Sequence, residues 1–341
     1  MRKRWLTLAA LGVVTVLLAF VVAAVRGSSA SAAHKATFNA CLVTDIGGLN
    51  DHGFNHLAYM GLLTAEKKLH VSGEVFQSKS AADYIPNFQA CLRKHAGVTI
   101  GIGFNMQDAM DSISSSFPQD KFAIVDVDVT GLKHRPKNVE GLLFREQQAG
   151  YLVGYAAGMW ARLKHKSVVG SVGGQKIPPV DRYIAGFQYG AKKADPGIKT
   201  LNGYSQDFVN QAKCKEVALN QIAAGSIVEF QVAGGCGLGV LDAAHEKNVF
   251  GIGVDADQAY LGPWVMTSAL KKVDVAVASA IAAAKNGTLK GGQNVEYGAN
   301  INGVGYGKWS PRVPGAIRSA VAKQYTLLKA NKIKGIPTTV K

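Results

Sequence analysis

Three aspartates stand where apolar runs typical of buried strands come to an end. They are Asp45 after "FNACLVT", Asp126 after "FAIV" and Asp255 after "VFGIGV". A carboxylate in such a place can accept hydrogen bonds from two adjacent hydroxyl groups, which suits a vicinal diol such as a ribose. A single aspartate there would more simply cap the following helix. Three of them, drawn from two groups of strands, favour a shared ligand cleft.

Aromatic and amide side chains accompany these acids. Phe54 and Phe104 lie just beyond a strand or at the start of a helix, where a ring could stack on a flat heterocycle or simply pack the helix onto the sheet. Asn55 can both donate and accept, as reading the edge of a base requires, although a first-turn residue could equally face solvent. Tyr260 and Trp264 are weaker aromatic candidates.

Two further positions could touch a ligand. Gly234 lies in the glycine-rich turn "AGGCGLGV", where the backbone could approach a ligand closely. The turn fits neither G-x-x-x-x-G-K-[ST] nor G-x-G-x-x-G, so it is a weak nucleotide signal. Lys271 could donate to a ligand hydroxyl, but alone it reads more simply as a surface lysine. Arg182, which opens a helix, could also point into the cleft.

Recognisable catalytic motifs do not occur in the sequence. It contains no G-x-S-x-G, no H-E-x-x-H and no cysteine with an evident histidine partner. A binding protein is therefore favoured over an enzyme, and no metal or organic cofactor is implied.

The elements that must position these residues alternate along the chain. Apolar runs alternate with helical patterns, which predicts parallel sheets with right-handed crossovers. The pattern forms two α/β units of about four strands each, and ligands would bind between them, beyond the carboxyl ends of the strands. The predicted helices are 54–69, 82–95, 105–116, 150–163, 180–194, 208–223, 237–246, 273–285 and a last one within 314–333.

The first 32 residues differ from the rest. "MRKRW" is followed by an apolar run from Leu6 to Val25 and by Ala30-Ser31-Ala32. This order is typical of a cleaved signal peptide, although 20 apolar residues could also form an uncleaved N-terminal anchor. Either interpretation places the remainder outside the cytoplasm, at the cell surface or in a periplasm.

The chain is strongly basic, with a formal charge of +15, or +11 once the four basic residues of 1–32 are removed. A basic surface could meet nucleic acid, or an anionic membrane or wall. For an exported protein the second is favoured, and we expect no nucleic-acid partner. The lysines and arginines are scattered along the sequence, which predicts a solvated face.

Four cysteines, in an exported chain without zinc-ligand spacing, suggest disulfides. Cys41 lies in the first strand and Cys91 near the end of the second helix, which returns toward strand beginnings. Cys214 lies early in a helix and Cys236 just past a strand. We predict the pairs Cys41–Cys91 and Cys214–Cys236; the alternative is four buried thiols.

Several blocks, in order, resemble the basic membrane protein family, the nucleoside-binding subunits of ABC importers. They are "VTDIGGLNDHGFNHLAYMGL", "NVEGLLFREQQAGYLVGYAAGMWA", "VGSVGG", "AGFQYGAK", "AGGCGLGV", "GIGVDADQ" and "TSALKKVD", and the resemblance covers roughly residues 38–335. It implies the type I periplasmic-binding-protein fold, an α/β fold of two lobes, each a parallel sheet flanked by helices. The first lobe would be 38–140 plus about 271–300, and the second 141–270 plus about 301–341.

The resemblance also implies roles for the candidates. A purine or other nucleoside would stack on aromatic residues such as Phe54, with its edge read by Asn55 and Asp126. Asp255 and Lys271 would hold the ribose. Asp45 and the Gly234 backbone would complete the wall.

Three departures from the family pattern stand out. Gly53 replaces a serine before Phe-Asn, which removes a polar contact or a cap. Cys236 replaces a threonine in the glycine-rich turn. Cys41 lies inside the first strand with no lipobox before it, although many members are lipoproteins.

The sequence therefore predicts a monomeric, exported nucleoside receptor that delivers its ligand to the permease of an ABC importer. The first alternative is a receptor for a sugar or another small polar metabolite, in transport or signalling. An extracellular nucleoside-processing enzyme is a more distant alternative, since it would need a positioned acid/base pair or a metal cluster.

Overall fold

The computed structural model describes residues 38–340, which belong to one compact unit, Thr37–Lys341. The predicted signal peptide or anchor, 1–32, lies outside the described residues. Among the described residues, no helix combines the length and the apolar composition needed to cross a membrane.

Two six-stranded sheets form the framework, with orders β11-β5-β4-β3-β1-β2 and β12-β10-β9-β8-β6-β7. All their pairings are parallel except the antiparallel pair of β10 with β12. Each sheet therefore has six strands rather than the four expected. The strands are β1 (Asn39–Thr44), β2 (Ser72–Gln77), β3 (Val98–Ile102), β4 (Phe122–Val125), β5 (Val139–Phe144), β6 (Val168–Gly173), β7 (Lys199–Tyr204), β8 (Val228–Val232), β9 (Phe250–Asp255), β10 (Val265–Lys271), β11 (Gln293–Tyr297) and β12 (Val304–Tyr306).

Nine α-helices flank these sheets within residues 38–340. Two of the predicted helices, 54–69 and 273–285, have the bounds expected, while 208–223 begins three residues later because the Asn210 side chain caps it by accepting from the amide of Ala212. The helices are α1 (Phe54–Leu69), α2 (Tyr84–Arg93), α3 (Gln107–Ser116), α4 (Glu146–Leu163), α5 (Pro178–Ala194), α6 (Gln211–Ala223), α7 (Leu238–Glu246), α8 (Val273–Lys285) and α9 (Gly315–Lys329).

The chain passes between the two sheets three times: between β5 and α4, between β10 and α8, and between β11 and β12. The fold is the predicted α/β fold of two lobes, each a largely parallel sheet flanked by helices. We define the first lobe as residues 38–144 and 273–297, and the second lobe as 145–272 and 298–340. The segment that the family resemblance returns to the first lobe contains α8, which packs on α1, and β11, which pairs with β5.

Helices α4 and α5 of the second lobe pack unusually closely. Gly150, Gly154 and Gly158 repeat at four-residue spacing along α4, and a Cβ on any of them would overlap the backbone of α5. These glycines bring the two helix backbones together and explain the small-residue pattern in "GYLVGYAAGMW".

Two disulfides tie neighbouring elements together. Cys41 of β1 is bonded to Cys91 of α2, and Cys214 of α6 is bonded to Cys236, in the short 3₁₀ turn Gly234–Gly237 that follows β8. These are the two pairs expected from the sequence. The second bond holds the glycine-rich turn at the edge of the sheet where ligands are expected.

Charge is divided unequally between the lobes, contrary to the scattered distribution expected. The first lobe has 11 Lys and Arg against 13 Asp and Glu, a net charge of −2. The second lobe has 21 against 10, a net charge of +11. The basic excess of the described protein therefore belongs to one lobe.

Candidate functional site

A cavity lies between the lobes, where the carboxyl ends of the strands of both sheets meet. Polar and aromatic side chains from both lobes form its walls. All eight residues proposed from the sequence line it: Asp45, Phe54, Asn55, Phe104, Asp126, Gly234, Asp255 and Lys271.

Asp126 and Asp255 occupy matching positions in the two lobes. Asp126 directly follows β4 and Asp255 ends β9, and their φ angles are 70° and 60°. Residues other than glycine adopt this left-handed region at a cost, and such conformations concentrate at functional sites. Both side chains are buried, with 6% and 8% of the residue exposed. The fold thus holds two carboxylates in strained backbone conformations, one in each wall of the cavity.

Lys271, at the end of β10, is a buried cation that joins the lobes. Its Nζ lies 2.6 and 2.7 Å from the two carboxylate oxygens of Asp126 and 3.0 Å from Oε1 of Glu146. The ammonium also lies 5.0 Å from the centre of the Phe54 ring. Burial alone would lower the pKa of Lys271, but the nearby carboxylates raise it well above its ordinary value. Since Asp126 takes two of its three N–H donors, at most one remains for a ligand.

Asp45 and Asn55 form a second polar group, on the first-lobe side. The Asn55 amide donates to Oδ1 of Asp45 at 2.7 Å, and the backbone amide of Gly47 donates to the same oxygen at 3.0 Å. Burial raises the pKa of Asp45 to about 6, although these hydrogen bonds oppose the shift. Oδ1 of Asn55 is buried and has no hydrogen-bond partner among the described residues. The pair therefore retains acceptor capacity for a ligand with N–H donors.

Asp255 is oriented by a tyrosine of α5. The Tyr183 hydroxyl donates to Oδ1 of Asp255 at 3.0 Å, which leaves Oδ2 as an acceptor. Burial raises the pKa of Asp255 to about 6, against the opposing charge of Lys271. Burial likewise raises the pKa of Glu146, beside Lys271, to about 7. Several of the acids around the cavity thus hold their protons more tightly than exposed carboxyls do.

Sequence reasoning missed several residues of this site: Asp51, Asn105, Glu146 and Tyr183. Asp51 accepts from the backbone amides of Gly53, Asn55 and His56 at 3.0, 2.6 and 3.0 Å, so it caps α1 from outside the helix. Asp51 therefore supplies a cap at a position where Gly53 has no side chain to do so. An aspartate three residues before a helix start was a usable signal. Nothing in the sequence marked Glu146 or Tyr183, because only the fold brings Glu146 to Lys271 and Tyr183 to the cavity wall.

Three weaker candidates lie outside the cavity. The guanidinium of Arg182 lies 3.7 Å from Oε2 of Glu146, so it places a positive charge beside this acid. The Trp264 ring stacks on the His245 ring with the two ring centres 3.7 Å apart, and Tyr260 is 62% exposed.

The two lobes touch across the mouth of the cavity. The Asn105 amide, in the first lobe, donates to Oε1 of Gln175, in the second, at 2.8 Å. A Cβ placed on Gly235 would lie 3.9 Å from Cα of Asp51. Direct contacts of this kind describe a closed cleft.

The charge of the walls restricts what can enter. Four aspartates line the cavity, Asp45, Asp51, Asp126 and Asp255, against Lys271 as the lining cation. An anionic ligand would meet like charge on both walls. The arrangement suits a neutral or cationic molecule that carries several hydrogen-bond donors and an apolar face.

Comparison with known proteins shows the same architecture and a related sequence. The model of the Bmp family, described as "ABC transporter substrate-binding protein PnrA-like", matches residues 38–337. The "ABC transporter nucleoside-binding protein BmpA" of Lactococcus lactis is 31% identical over 98% of this chain and 99% of its own. An uncharacterised lipoprotein of Pyrococcus abyssi is 32% identical over 90% of this chain and 77% of its own.

A solved structure agrees with the fold. An ABC transporter solute-binding protein from Aeropyrum pernix superposes with a TM-score of 0.79 and 24% identity, over 88% of this chain and 94% of that one. At this identity the likeness is evidence for the fold alone.

Proposed function

Because the chain belongs to the Bmp family of PnrA-like ABC transporter substrate-binding proteins, we propose that it binds nucleosides, purine nucleosides in particular, and delivers them to a membrane permease. The observation that carries the proposal is the cavity between the lobes, which combines aromatic rings with carboxylates from both walls. The related Lactococcus protein is named for nucleoside binding. A nucleoside has the matching features: a flat base, a base edge with N–H groups, and a diol.

The contacts favour a division of the cavity into two ends. Asn55 and Asp45 together would read the base edge, since they are hydrogen-bonded to each other and retain acceptors. Asp255, whose Oδ2 is not used by Tyr183, would accept from the ribose hydroxyls. In this proposal Asp126 and Lys271 hold each other in place, and the third N–H of Lys271 is shared between Glu146 and the ligand.

The same geometry favours nucleosides over nucleotides. The lining cation, Lys271, is already paired with Asp126 and Glu146. A phosphate would therefore lose its water without gaining a free cation, which is costly. We expect nucleoside monophosphates to bind far more weakly than the corresponding nucleosides.

The proposed place of action is the outer face of the cytoplasmic membrane. The basic start, the apolar run Leu6–Val25 and the Ala30-Ser31-Ala32 site are typical of an exported chain. The related Pyrococcus protein is named a lipoprotein. A receptor held near the membrane would meet its permease there.

The experiment is a ligand screen by thermal shift and calorimetry on residues 37–341, which contain both lobes complete. A nucleoside at 100 times its dissociation constant should stabilise the protein by about 2.7 kcal/mol. The panel includes nucleosides, free bases, nucleoside monophosphates, pentoses and hexoses. Asp255→Asn should abolish the nucleoside shift, whereas Asp257→Asn, two residues on and outside the cavity, should preserve it.

Other outcomes would contradict the proposal in different ways. If a sugar stabilises the protein and nucleosides do not, the ligand assignment is wrong and the sugar-receptor alternative stands. If nucleoside is consumed during the titration, the protein is an enzyme.

A further inference from the structure

Nearly half of the basic excess of the second lobe lies at the end farthest from the cavity, where the segments 158–168 and 189–200 carry a net charge of +5 out of +11. In a parallel sheet the strands begin, and the flanking helices end, at the edge opposite the ligand site. Six basic residues lie there, and we name them the basic pole: Arg162, Lys164, Lys166, Lys192, Lys193 and Lys199. All six are exposed. The segments 158–168 and 189–200 that contain them hold one acidic residue, Asp195.

These residues form one continuous surface, although they are separated in the sequence. The ends of α4 and α5 are adjacent, since a Cβ on Gly158 would lie 3.0 Å from Cβ of Ala194. The Lys199 amide donates to the carbonyl of Ser167 at 2.7 Å, which joins the start of β7 to the residues before β6. The two halves of the basic pole therefore lie next to each other at one end of the lobe.

The surface extends beyond the basic pole toward β9. The centre of the Trp160 ring, at the end of α4, lies 4.9 Å from the centre of the Phe250 ring, and the Arg312 guanidinium lies 5.1 Å from the same ring centre. Lys247, which precedes Phe250 by three residues, is exposed but paired with Glu246 at 2.9 Å, so it adds little net charge to this surface. The other end of the lobe carries both signs of charge, since Asp207 pairs with Lys213 and Glu146 with Arg182.

An apolar side chain stands among these charges. Leu163 lies between Arg162 and Lys164 and is 52% exposed. A combination of basic side chains with an exposed apolar residue suits a surface that has anionic headgroups over a hydrocarbon layer. Nucleic acid would match the charge but offers no comparable apolar layer.

We propose that the basic pole docks on an anionic lipid membrane, with Leu163 entering the headgroup boundary. The proposal rests on the extracytoplasmic location proposed above, which places the protein beside a bilayer. It is separate from ligand binding, because the basic pole is at the opposite end of the lobe from the cavity. Docking would hold the receptor at the membrane independently of its N-terminal segment.

The test is co-sedimentation of residues 37–341 with vesicles of phosphatidylcholine alone or with phosphatidylglycerol added, at low and at physiological salt. This fragment omits Leu6–Val25, so membrane insertion of that run cannot contribute. We expect binding only to the vesicles that contain phosphatidylglycerol, and weaker binding at higher salt. The triple variant K166E/K192E/K199E should bind at least about 100-fold more weakly, since each lysine near such a surface contributes about fivefold.

A matched control separates a local surface from overall charge. K323E/K329E/K332E, on α9 and just beyond it, makes the same change in net charge away from the basic pole and should bind within a few-fold of the wild type. Leu163→Asn should weaken binding without any change in charge. Nucleosides should still stabilise both triple variants against thermal unfolding. Failure of the membrane proposal is therefore distinguishable from failure of the proposed nucleoside binding.

Three results would overturn the proposal. The wild type could fail to bind anionic vesicles at low salt. The two triple variants could lose binding equally, which would show a diffuse charge effect. A single-stranded oligonucleotide could bind more tightly than the vesicles and lose affinity in the pole variant, which would identify nucleic acid as the partner.

Discussion

Lys271 neutralises a group of buried acids that would otherwise repel one another. Lys271→Met would leave Asp126 and Glu146 without their cation, and breaking a buried ion pair costs about 3–5 kcal/mol. Because burial already raises the pKa of Glu146 to about 7, this acid can take up a proton in the variant. We therefore expect the loss of stability to be large at pH 8 and clearly smaller at pH 5.5, as measured by urea unfolding.

The neighbouring lysine provides the control for this prediction. Lys272→Met removes an equal charge one residue away and should change the free energy of unfolding by less than about 0.5 kcal/mol. A similar loss for the two variants, or a loss at position 271 that does not depend on pH, would contradict the role of Lys271 as the partner of these acids.

Glu229, in β8, is a buried acid away from the cavity. Burial raises its pKa to about 8, and both its carboxylate oxygens and Oε1 of Gln221 crowd the space beside Gly170. The native state thus holds a proton that the unfolded state releases near pH 4.5. The resulting stability is complete below about pH 4.5 and is lost progressively as the pH rises to about 8.

Glu229→Gln should remove that dependence, since an amide does not titrate. Between pH 4.5 and pH 8, the free energy of unfolding of the variant should rise relative to that of the wild type by on the order of 4 kcal/mol. This figure follows from the difference of about 3.5 units between the pKa of Glu229 in the native state and in the unfolded state. The measurement is urea unfolding across this pH range, with the exposed Glu216→Gln as control. Parallel stability curves for wild type and E229Q would show that Glu229 is ionised in the native state.

The residues that sequence reasoning found and missed differ in one physical respect. Asp45, Asp126 and Asp255 were recognisable because each ends an apolar run. Glu146 sits in the first turn of α4, where an acid is ordinary, and Tyr183 lies within an amphipathic helix. Their contacts with Lys271 and Asp255 join residues 125 and 72 positions apart in the sequence, and no local pattern encodes such contacts.

At the scale of elements, the disulfide of the glycine-rich turn should matter for both stability and ligand binding. Replacing Cys214 and Cys236 by serine opens a 22-residue loop and should cost about 3 kcal/mol. It also frees the turn Gly234–Gly237, and Gly234 and Gly235 line the cavity. We expect nucleoside affinity to fall several-fold as well, measured by calorimetry alongside unfolding.

The other disulfide is the internal control. Replacing Cys41 and Cys91 opens a 50-residue loop and should cost about 4 kcal/mol, the larger loss. Both cysteines lie in a core cluster of the first lobe and not in the cavity wall, so affinity should be preserved. If replacing Cys41 and Cys91 lowers nucleoside affinity as much as replacing Cys214 and Cys236 does, both losses of affinity follow from the lower stability of the variants and not from the freed turn.

Element boundaries were predictable where the apolar pattern itself begins and ends. Helices α1 and α8 have the predicted bounds because their apolar residues continue to both ends. Helix α4 begins at Glu146, four residues earlier than predicted, since its first turn is polar in sequence yet buried between the lobes. The edge strands β11 and β12 were read only as an extended, glycine-rich stretch, because their place in different sheets depends on the whole fold.

At the scale of the whole molecule, the contacts across the mouth of the cavity exist only when the lobes are closed. A substitution there at a residue outside the cavity wall, such as Gln175, should change the population of the closed form and not the shape of the cavity. It should therefore weaken every ligand by the same factor, whereas a substitution in the wall, such as Asp255→Asn, should discriminate among ligands.

The hydrogen bond between Asn105 and Gln175 permits this test. Asn105→Ala and Gln175→Ala should each weaken binding by between about twofold and tenfold, as expected for one net hydrogen bond of about 0.5–1.5 kcal/mol. The double variant should be little weaker than either single one, since both remove the same bond. Asn87→Ala, which removes an equivalent hydrogen bond to Ser78 within the first lobe, should leave affinity unchanged. Asn105 also lines the cavity, so Gln175→Ala is the variant that isolates closure. Additive losses in the double variant, or losses in Gln175→Ala that differ from one nucleoside to another, would mean that Gln175 touches the ligand and does not report on closure.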